Sequence, residues 1–460
     1  MPDIQIAITL LREHFKDRLQ TGEAICKQHG NTTTWTRNEP PDAVVYPSTT
    51  EEVSQIVKIC AEHSVPVIPF GKGTSLEGHV NAPMGGVSVD LSEMNNVLAV
   101  HREDMDCIVQ PGVTYVELNK YIRDTGLFFP IDPGAEASLG GMASTRASGT
   151  NAVRYGTMKD NVLALTAVLP DGQIIKTGQR ARKSSAGYDL TRLMVGAEGT
   201  LGIITELTLK LHGIPEAVSS ATCSFPDMET ACNAVIATIQ YGIPVARIEL
   251  LDALSVKSVN SYSKLSLPET PLLLLEFHGS QLSVEEQARS FGDIAKDFEA
   301  DNFQWTSDSE ERSKLWQARH DAYWAIQGLR PGAKGLASDV CVPISRLAEC
   351  LVAAENKAKE MNFIAPTLGH VGDGNFHVLL LIDDSHAQEV EDVRYYLGWL
   401  SDLAISMGGT CTGEHGIGQA KMPYLKKELG PAVSLMATIK RAIDPKNIMN
   451  PGKIFSVERD

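Results

Sequence analysis

The sequence has no two cysteines spaced to act together. Its eight cysteines, Cys26, Cys60, Cys107, Cys223, Cys232, Cys341, Cys350 and Cys411, are scattered, and none forms a C-x-x-C. That argues against a disulfide framework, and against an iron–sulfur cluster, whose ligands come in close runs. Basic residues are also scarce: 41 Lys and Arg stand against 57 Asp and Glu, a net charge of −16. A chain of that sign repels nucleic acid and anionic membrane surfaces, although a local cationic pocket can still take an anionic substrate. No apolar run reaches the roughly 18 residues that a membrane-spanning helix needs. The opening MPDIQIAITLLREHFKDRL carries Asp3, Glu13 and Asp17 and lacks the basic and apolar regions of a signal peptide. It reads as an amphipathic surface helix, and the expected location is cytoplasmic. Internal repeats and low-complexity tracts are absent.

What is present is an ordinary globular composition, 43% hydrophobic and 21% charged over 460 residues. At roughly 150 residues per domain this suggests two or three domains. Residues 1–37 read as helix followed by irregular chain. From Ala43, the text VVYPSTTEEVSQIVKICAEHSVPVIPFGKGTSL reads strand, capped helix, strand and Gly-rich loop, with Thr49 or Thr50 as the cap. A strand-rich stretch follows, with a hairpin corner at Pro170-Asp171-Gly172, and ends in the strand Leu201–Leu211. Ile214-Pro215-Glu216 reads as a boundary. The second half runs helix, strand, strand, helix, the rhythm of a compact α+β domain.

Three clusters of small residues stand out. Gly71, Lys72, Gly73, Thr74 and Ser75 follow a strand, where backbone N–H groups and hydroxyls can close on phosphate. The loop is neither G-x-G-x-x-G nor a Walker A motif, which disfavours a nicotinamide-type Rossmann site. Residues 133–156, PGAEASLGGMASTRASGTNAVRYG, hold 15 Gly, Ala, Ser or Thr among 24, too few large side chains for a core but suited to wrapping a large ligand. The third cluster has Gly196, Gly199 and Gly202 ahead of a strand. One such loop alone is commonly a tight turn; three within about 130 residues argue for a ligand.

The second half gathers metal-ligand types. His370 and His377 are seven apart, an odd spacing that on one straight strand would point them to opposite faces. The intervening Gly372-Asp373-Gly374-Asn375 has turn composition and lets the chain bend so that both converge. Glu414 lies beside His415. Two His and one Glu make a three-ligand site with open positions, as catalytic metals use. The same trio also suits a metal-dependent hydrolase.

These segments, in this order, resemble the FAD-linked D-2-hydroxyacid dehydrogenases of the vanillyl-alcohol oxidase / p-cresol methylhydroxylase superfamily. ASGTNAVRYGTMKDNV, ASDVCVP, GHVGDGNFH, GEHGIG and DPKNIMNPGK carry the likeness, over roughly residues 40–456. It implies an α+β architecture: a two-part FAD-binding domain over 1–215 (an N-terminal helix 1–37 and a core 38–215), an α+β substrate or cap domain over 216–420, and a C-terminal helical segment over 421–460. It implies that Gly71, Lys72, Gly73, Thr74 and Ser75 hold the pyrophosphate. Pro133, Gly134, Ser138, Gly140, Gly141, Thr145, Ser148, Gly149 and Gly156 would line the flavin and its ribityl chain. Glu198, Gly199 and Ile204 would sit at the adenine side, and Asn450 would return to the flavin. His79 lies near the first loop, but non-covalent FAD is the expected form.

The resemblance matches His370, His377 and Glu414 to divalent-metal ligands, zinc or manganese, and His415 to a catalytic base. Arg319, in Trp316-Gln317-Ala318-Arg319, matches the family's W-x-x-R and would meet the substrate carboxylate. Asn375 would hydrogen-bond the substrate or orient a ligand. Relatives that take larger diacids have a Lys where this chain has Ala337, so a monocarboxylic acid is expected. The implied activity is oxidation of a D-2-hydroxy acid, D-lactate first, with electrons leaving to a cytochrome, quinone or electron-transfer protein. A homodimer would be usual for the family. Rival readings are the flavin subunit of a glycolate-oxidising complex and a metal-dependent hydrolase.

Overall fold

A computed structural model describes residues 3–31 and 37–456. The expected helix-then-irregular reading of 1–37 covers residues 1–2 and 32–36, which lie outside them. The chain divides into two compact units. One comprises the residues up to Ser148, Gly156–Ile214, and those from Glu414 on; the other comprises Gly149–Tyr155 and Pro215–Gly413.

The first unit opens with helices Ile4–Phe15 and Glu23–His29, joined through a short strand, Leu19–Gln20. Strand Ala43–Val45, helix Thr50–Glu62 and strand Val67–Phe70 follow. The helix starts where it does because the Thr49 hydroxyl accepts the Glu52 N–H at 3.2 Å, with Glu51 and Glu52 at the positive end of the dipole. Its Val53, Ile56, Val57 and Cys60, at helical spacing, are fully buried against the sheet. Both strands run parallel to Val87–Asp90, between them. The chain's end extends this sheet: Met449 bridges Val67, and the Val67 carbonyl accepts the Asn450 N–H at 2.8 Å. The Gly-rich loop therefore leaves the carboxyl end of a parallel strand, the edge where open α/β sheets bind ligands.

A second sheet of this unit is antiparallel, in the order Val97–His101, Asp106–Val109, Ile203–Lys210, Val162–Val168, Ile174–Lys176. Its last hairpin turns at the expected corner, where Gly172 takes φ +80°.

The other unit is built on an eight-stranded sheet, with strands Asp301–Thr306, Ala217–Ser224, Leu272–Gly279, Val245–Leu251, Thr367–Gly369, Asn375–Ile382 and Lys334–Ala337 in order. The short strand Val340–Cys341 also pairs with Asn375–Ile382. Side chains alternate between faces, so directly paired residues share one. Leu251, Leu272, Leu274, Leu368, Leu379 and Leu381 pack in one cluster with Ala318, Ala322 and Ile326 of the helices Ser309–His320 and Ala322–Gln327. Further along the same face the leucines give way to Ser220, Arg247, Glu249, Glu276 and His278. His377 belongs to that face too, being paired to Leu368, which is paired to Leu251. The polar half of one sheet face is where the second unit's chemistry collects.

Candidate active site

In the first unit the expected cofactor segments meet. A Cβ on Gly71 would run into Ser138 Oγ, so the first Gly-rich loop lies directly against the start of helix Leu139–Thr145. Gly140 packs on Pro111 as closely, its missing Cβ 3.0 Å from the Pro111 carbonyl, and a Cβ on Gly141 would lie 3.1 Å from Ser138 Oγ. Gly73 takes φ +67°, and Gly156 takes φ +76° with Asp160 where its Cβ would be. Lys72 is exposed, and Thr74 and Ser148 are half-buried. Thr145 returns its hydroxyl to the Gly141 carbonyl at 3.2 Å. Gly149 is assigned to the other unit. Pro133 and Gly134 lie in an open stretch, with nothing close to Gly134.

The third cluster joins the C-terminal motif. Glu198, buried at φ +52°, accepts the N–H of Ile417 at 2.7 Å and of Gly418 at 2.8 Å, and lies 3.2 Å from His79 Nε2. Burial alone would push its carboxyl up; the His79 charge and these donors outweigh that and hold it below the usual carboxylate range. Its side chain is thus spent within the protein. Gly199 lies flat on Pro69, and Ile204 is buried in the second sheet. Asn450 donates its amide to the carbonyls of Glu198 at 2.7 Å and His79 at 3.2 Å. Two buried oxygens in this region, Ser75 Oγ and Asn450 Oδ1, have no hydrogen-bond partner among the described residues. Buried polar atoms are rarely left so. With the bare backbone at Gly71 and Gly73, they fit a large ligand rich in hydrogen-bonding groups, as FAD is.

Glu414 and His415 begin the return of the chain into this unit. His415 Nδ1 lies 3.8 Å from the buried carboxylate of Glu77, which pairs with Lys421 Nζ at 3.1 Å. The turn beyond is fixed by Gly416, at φ +80°, whose Cβ would press on Glu198 and His79 at 2.8 Å.

The second unit brings His370, His377, Arg319 and Asn375 into one network. Strand Thr367–Gly369 delivers His370, one helical turn over Val371–Asp373 and Gly374 at φ +79° reverse the chain, and strand Asn375–Ile382 delivers His377. The two imidazoles end edge to face, with centroids 5.5 Å apart. His377 Nδ1 faces the Ser338 carbonyl at 2.8 Å, and His370 Nδ1 faces Glu249 Oε1 at 2.7 Å. Each Nδ1 therefore carries the proton in a neutral ring, and Nε2 is the nitrogen with the lone pair. That tautomer suits a metal ligand, so the pair fits a divalent cation.

Arg319 turns its Nε and Nη2 onto Glu249 Oε2, at 3.0 and 2.6 Å. Burial works to raise the Glu249 carboxyl, but the Arg319 charge and the hydrogen bonds from His370 and Arg319 prevail and hold it low. Asn375 spends its amide on Asp339 Oδ1 at 3.0 Å and the Val340 carbonyl at 2.8 Å. Asp339, fully buried, also accepts from Thr412 Oγ1 at 2.8 Å, and its carbonyl takes the Gly413 N–H at 3.0 Å. The peptide leading into Glu414 is thereby anchored on Asp339. Sequence reasoning passed over Glu249, Asp339 and Glu77. The available signal for the first was an acid inside the apolar strand Val245–Leu251.

Comparison with known proteins bears on this geometry. Residues 214–454 match the C-terminal domain of FAD linked oxidases, and residues 41–178 match the FAD binding domain. The chain is 50% identical over 443 residues to the probable mitochondrial D-lactate dehydrogenase of Danio rerio, covering 95% of this chain and 89% of that one. It is 47% identical to the mitochondrial D-lactate dehydrogenase [cytochrome] of Arabidopsis thaliana, covering 90% and 73%. A crystal structure of p-cresol methylhydroxylase with substrate bound shares the fold at a TM-score of 0.81 and 19% identity, covering 99% and 97%.

These relatives correct one expectation. The protein was expected to be cytoplasmic, yet the relatives at 40–50% identity are named as mitochondrial. The expectation rested on the lack of a membrane-spanning run and of a signal-peptide pattern. Composition carries no address, because targeting is read by receptors from local segments. Among the described residues no helix is long and apolar enough to cross a membrane. With both of its domain models matched and close relatives along nearly its whole length, the chain belongs to the FAD-linked oxidases and has the two-part FAD-binding fold of the vanillyl-alcohol oxidase / p-cresol methylhydroxylase superfamily.

Proposed function

We propose that this chain is an FAD- and metal-dependent dehydrogenase that oxidises D-lactate to the 2-keto acid and passes the electrons to an acceptor outside the chain. The substrate follows from relatives named D-lactate dehydrogenases at 47 and 50% identity. The observation that carries the metal is the His370–His377 pair, with each Nδ1 bound to an oxygen. Glu414, one residue beyond the peptide fixed on Asp339, is the third ligand. The cation is zinc or manganese.

FAD supplies a two-electron acceptor for the hydride from C2, and the cation lowers the pKa of the substrate hydroxyl. The chain's own residues do the rest. His415 takes the hydroxyl proton, as an imidazole can near neutral pH. Arg319, with one edge clamped by Glu249, keeps Nη1 for the substrate carboxylate. Asn375 acts through Asp339, holding the turn between the two histidines. Ser75 and Asn450 give their unpartnered oxygens to the cofactor. Ala337 offers nothing to a second carboxylate, which fits a monocarboxylic acid. Because the eight cysteines are scattered and not clustered as iron–sulfur ligands are, the electrons go outward to a cytochrome, quinone or electron-transfer protein.

Dye reduction by purified protein tests the reading. D-lactate should be oxidised far faster than L-lactate or glycolate. A preference for glycolate, with activity only beside a Cys-rich partner chain, would support the glycolate-oxidising complex instead.

A further inference from the structure

Among the carboxylates on the polar half of the second unit's sheet face is Glu249, which the reaction itself does not use. Glu249 sits mid-strand in Val245–Leu251 and is fully buried. Burying an ionised carboxylate costs several kcal/mol unless it is paired and hydrogen-bonded, so such a group is kept only where its partners need it. Its two oxygens are divided between two partners. Oε1 takes His370 Nδ1 at 2.7 Å, and Oε2 takes Arg319 Nε at 3.0 Å and Nη2 at 2.6 Å. The partners come from different elements: His370 directly follows the strand Thr367–Gly369, and Arg319 lies on the helix Ser309–His320.

Each bond has a defined effect. The bond to His370 sets the ring orientation and the tautomer that puts the lone pair on Nε2. The paired bonds to Arg319 fix the plane of a guanidinium that would otherwise have several rotamers. Because the carboxylate is rigid and planar, fixing both partners on it also fixes the distance between them. Trp316, one turn earlier on the same helix, holds the helix in place by donating its Nε1–H to Ser220 Oγ at 3.0 Å.

We propose that Glu249 is a positioning residue that sets the substrate's carboxylate anchor, Arg319, in register with the metal ligand His370. The inference rests on the reading of those two residues given above. A hydroxy acid must present its carboxylate to Arg319 and its hydroxyl near the cation at once, and a single buried carboxylate holds both ends of that span.

Glu249→Gln in the full-length, FAD-loaded protein tests it. The glutamine amide turns an NH2 toward one of the two donors, so it cannot accept from both. Cation retention is read by titrating Mn2+ and Zn2+ separately against a competing chelator, and kcat and KM for D-lactate are measured at saturating cation. Glu249→Gln is expected to weaken cation binding by about 10- to 100-fold and to raise KM at least as far as Arg319→Lys does. Arg319→Lys itself should raise KM and leave cation binding within about twofold, since it spares the His370 arm. FAD content should not change in either variant. Should Glu249→Gln not fold, Glu249→Asp keeps the charge, shortens the reach, and should shift both quantities in the same sense. A Glu249→Gln protein that is merely less heat-stable, with cation binding and KM unmoved, overturns the coupling alone. A wild type that neither holds a cation nor oxidises D-lactate overturns the functional reading and the coupling with it.

Discussion

The His278 ring stands between Tyr155 and a buried carboxylate: Nδ1 lies 2.7 Å from the Tyr155 hydroxyl, and Nε2 lies 2.8 Å from Glu276 Oε1. The carboxylate takes the Nε2–H, so Nδ1 is an acceptor and the phenol donates to it. Tyr155 closes the short segment Gly149–Tyr155, which packs in the second unit although both of its neighbours in the chain belong to the first. Asn151 Oδ1 accepts from Arg247 Nε at 3.0 Å, and Arg154 Nη1 donates to the Pro244 carbonyl at 2.6 Å, so the segment is held at three points. Tyr155→Phe leaves the buried Nδ1 acceptor unmatched and should cost about 1–3 kcal/mol. A urea titration would show it as a lower midpoint at unchanged slope; an unchanged midpoint would mean that the bond contributes nothing.

Removing either proposed metal ligand should separate the two cofactors. His370→Ala and His377→Ala are each expected to lose bound divalent cation and at least 100-fold of D-lactate turnover, an effect of about 3 kcal/mol or more on the barrier. Both should keep FAD, because the cradle proposed around Gly71, Ser138 and Asn450 lies in the other unit. Elemental analysis beside the visible spectrum measures both. Chelation of the wild type should likewise abolish turnover, and added cation should restore it.

His415→Ala should keep FAD and cation alike and lose the chemical step. A general base contributes about 10²- to 10⁴-fold. Stopped-flow mixing with D-lactate should show flavin reduction slowed by that factor. Reduction at the wild-type rate would remove His415 from the role.

Lys453 gives a pH test that does not depend on the substrate. It is buried, with its ammonium donating to the Asn81 carbonyl at 2.7 Å, and burial lowers its pKa from 10.5 to about 8. An unfolded lysine keeps its proton to about 10.4, so between about 8 and that value the unfolded chain holds more protons than the folded one. Stability from this group therefore rises with pH across that window, by an amount on the order of 3 kcal/mol. Urea midpoints of wild type and Lys453→Met should converge or cross as pH climbs from 8 to 10. Parallel curves would mean that the lysine is not perturbed.

Local chemistry was legible where it acts over a few residues. Thr49 or Thr50 ahead of Glu51 and Glu52 announced a helix start, Pro170-Asp171-Gly172 a hairpin, and the Gly-rich turn between His370 and His377 the return that brings two rings together. Glu249 was not legible, because its meaning lies in partners 70 and 121 residues away. In the sequence it is one acid among apolar neighbours. The segment Gly149–Tyr155 was likewise read as part of one small-residue run, since nothing in its composition shows that tertiary contacts draw the end of that run into another unit. The resemblance placed Glu198 at the adenine side, but its side-chain partners, His79 and the backbone N–H groups of Ile417 and Gly418, lie far along the chain and were not legible.

The central claim is that the chain passes a hydride from D-lactate to bound FAD, and an anaerobic visible absorption spectrum taken before and after substrate tests it most directly. A yellow protein whose flavin band bleaches with D-lactate and not with L-lactate is the predicted result. A yellow protein that stays oxidised with D-lactate and saturating Mn2+ or Zn2+, or a colourless one that FAD cannot reconstitute, would contradict it.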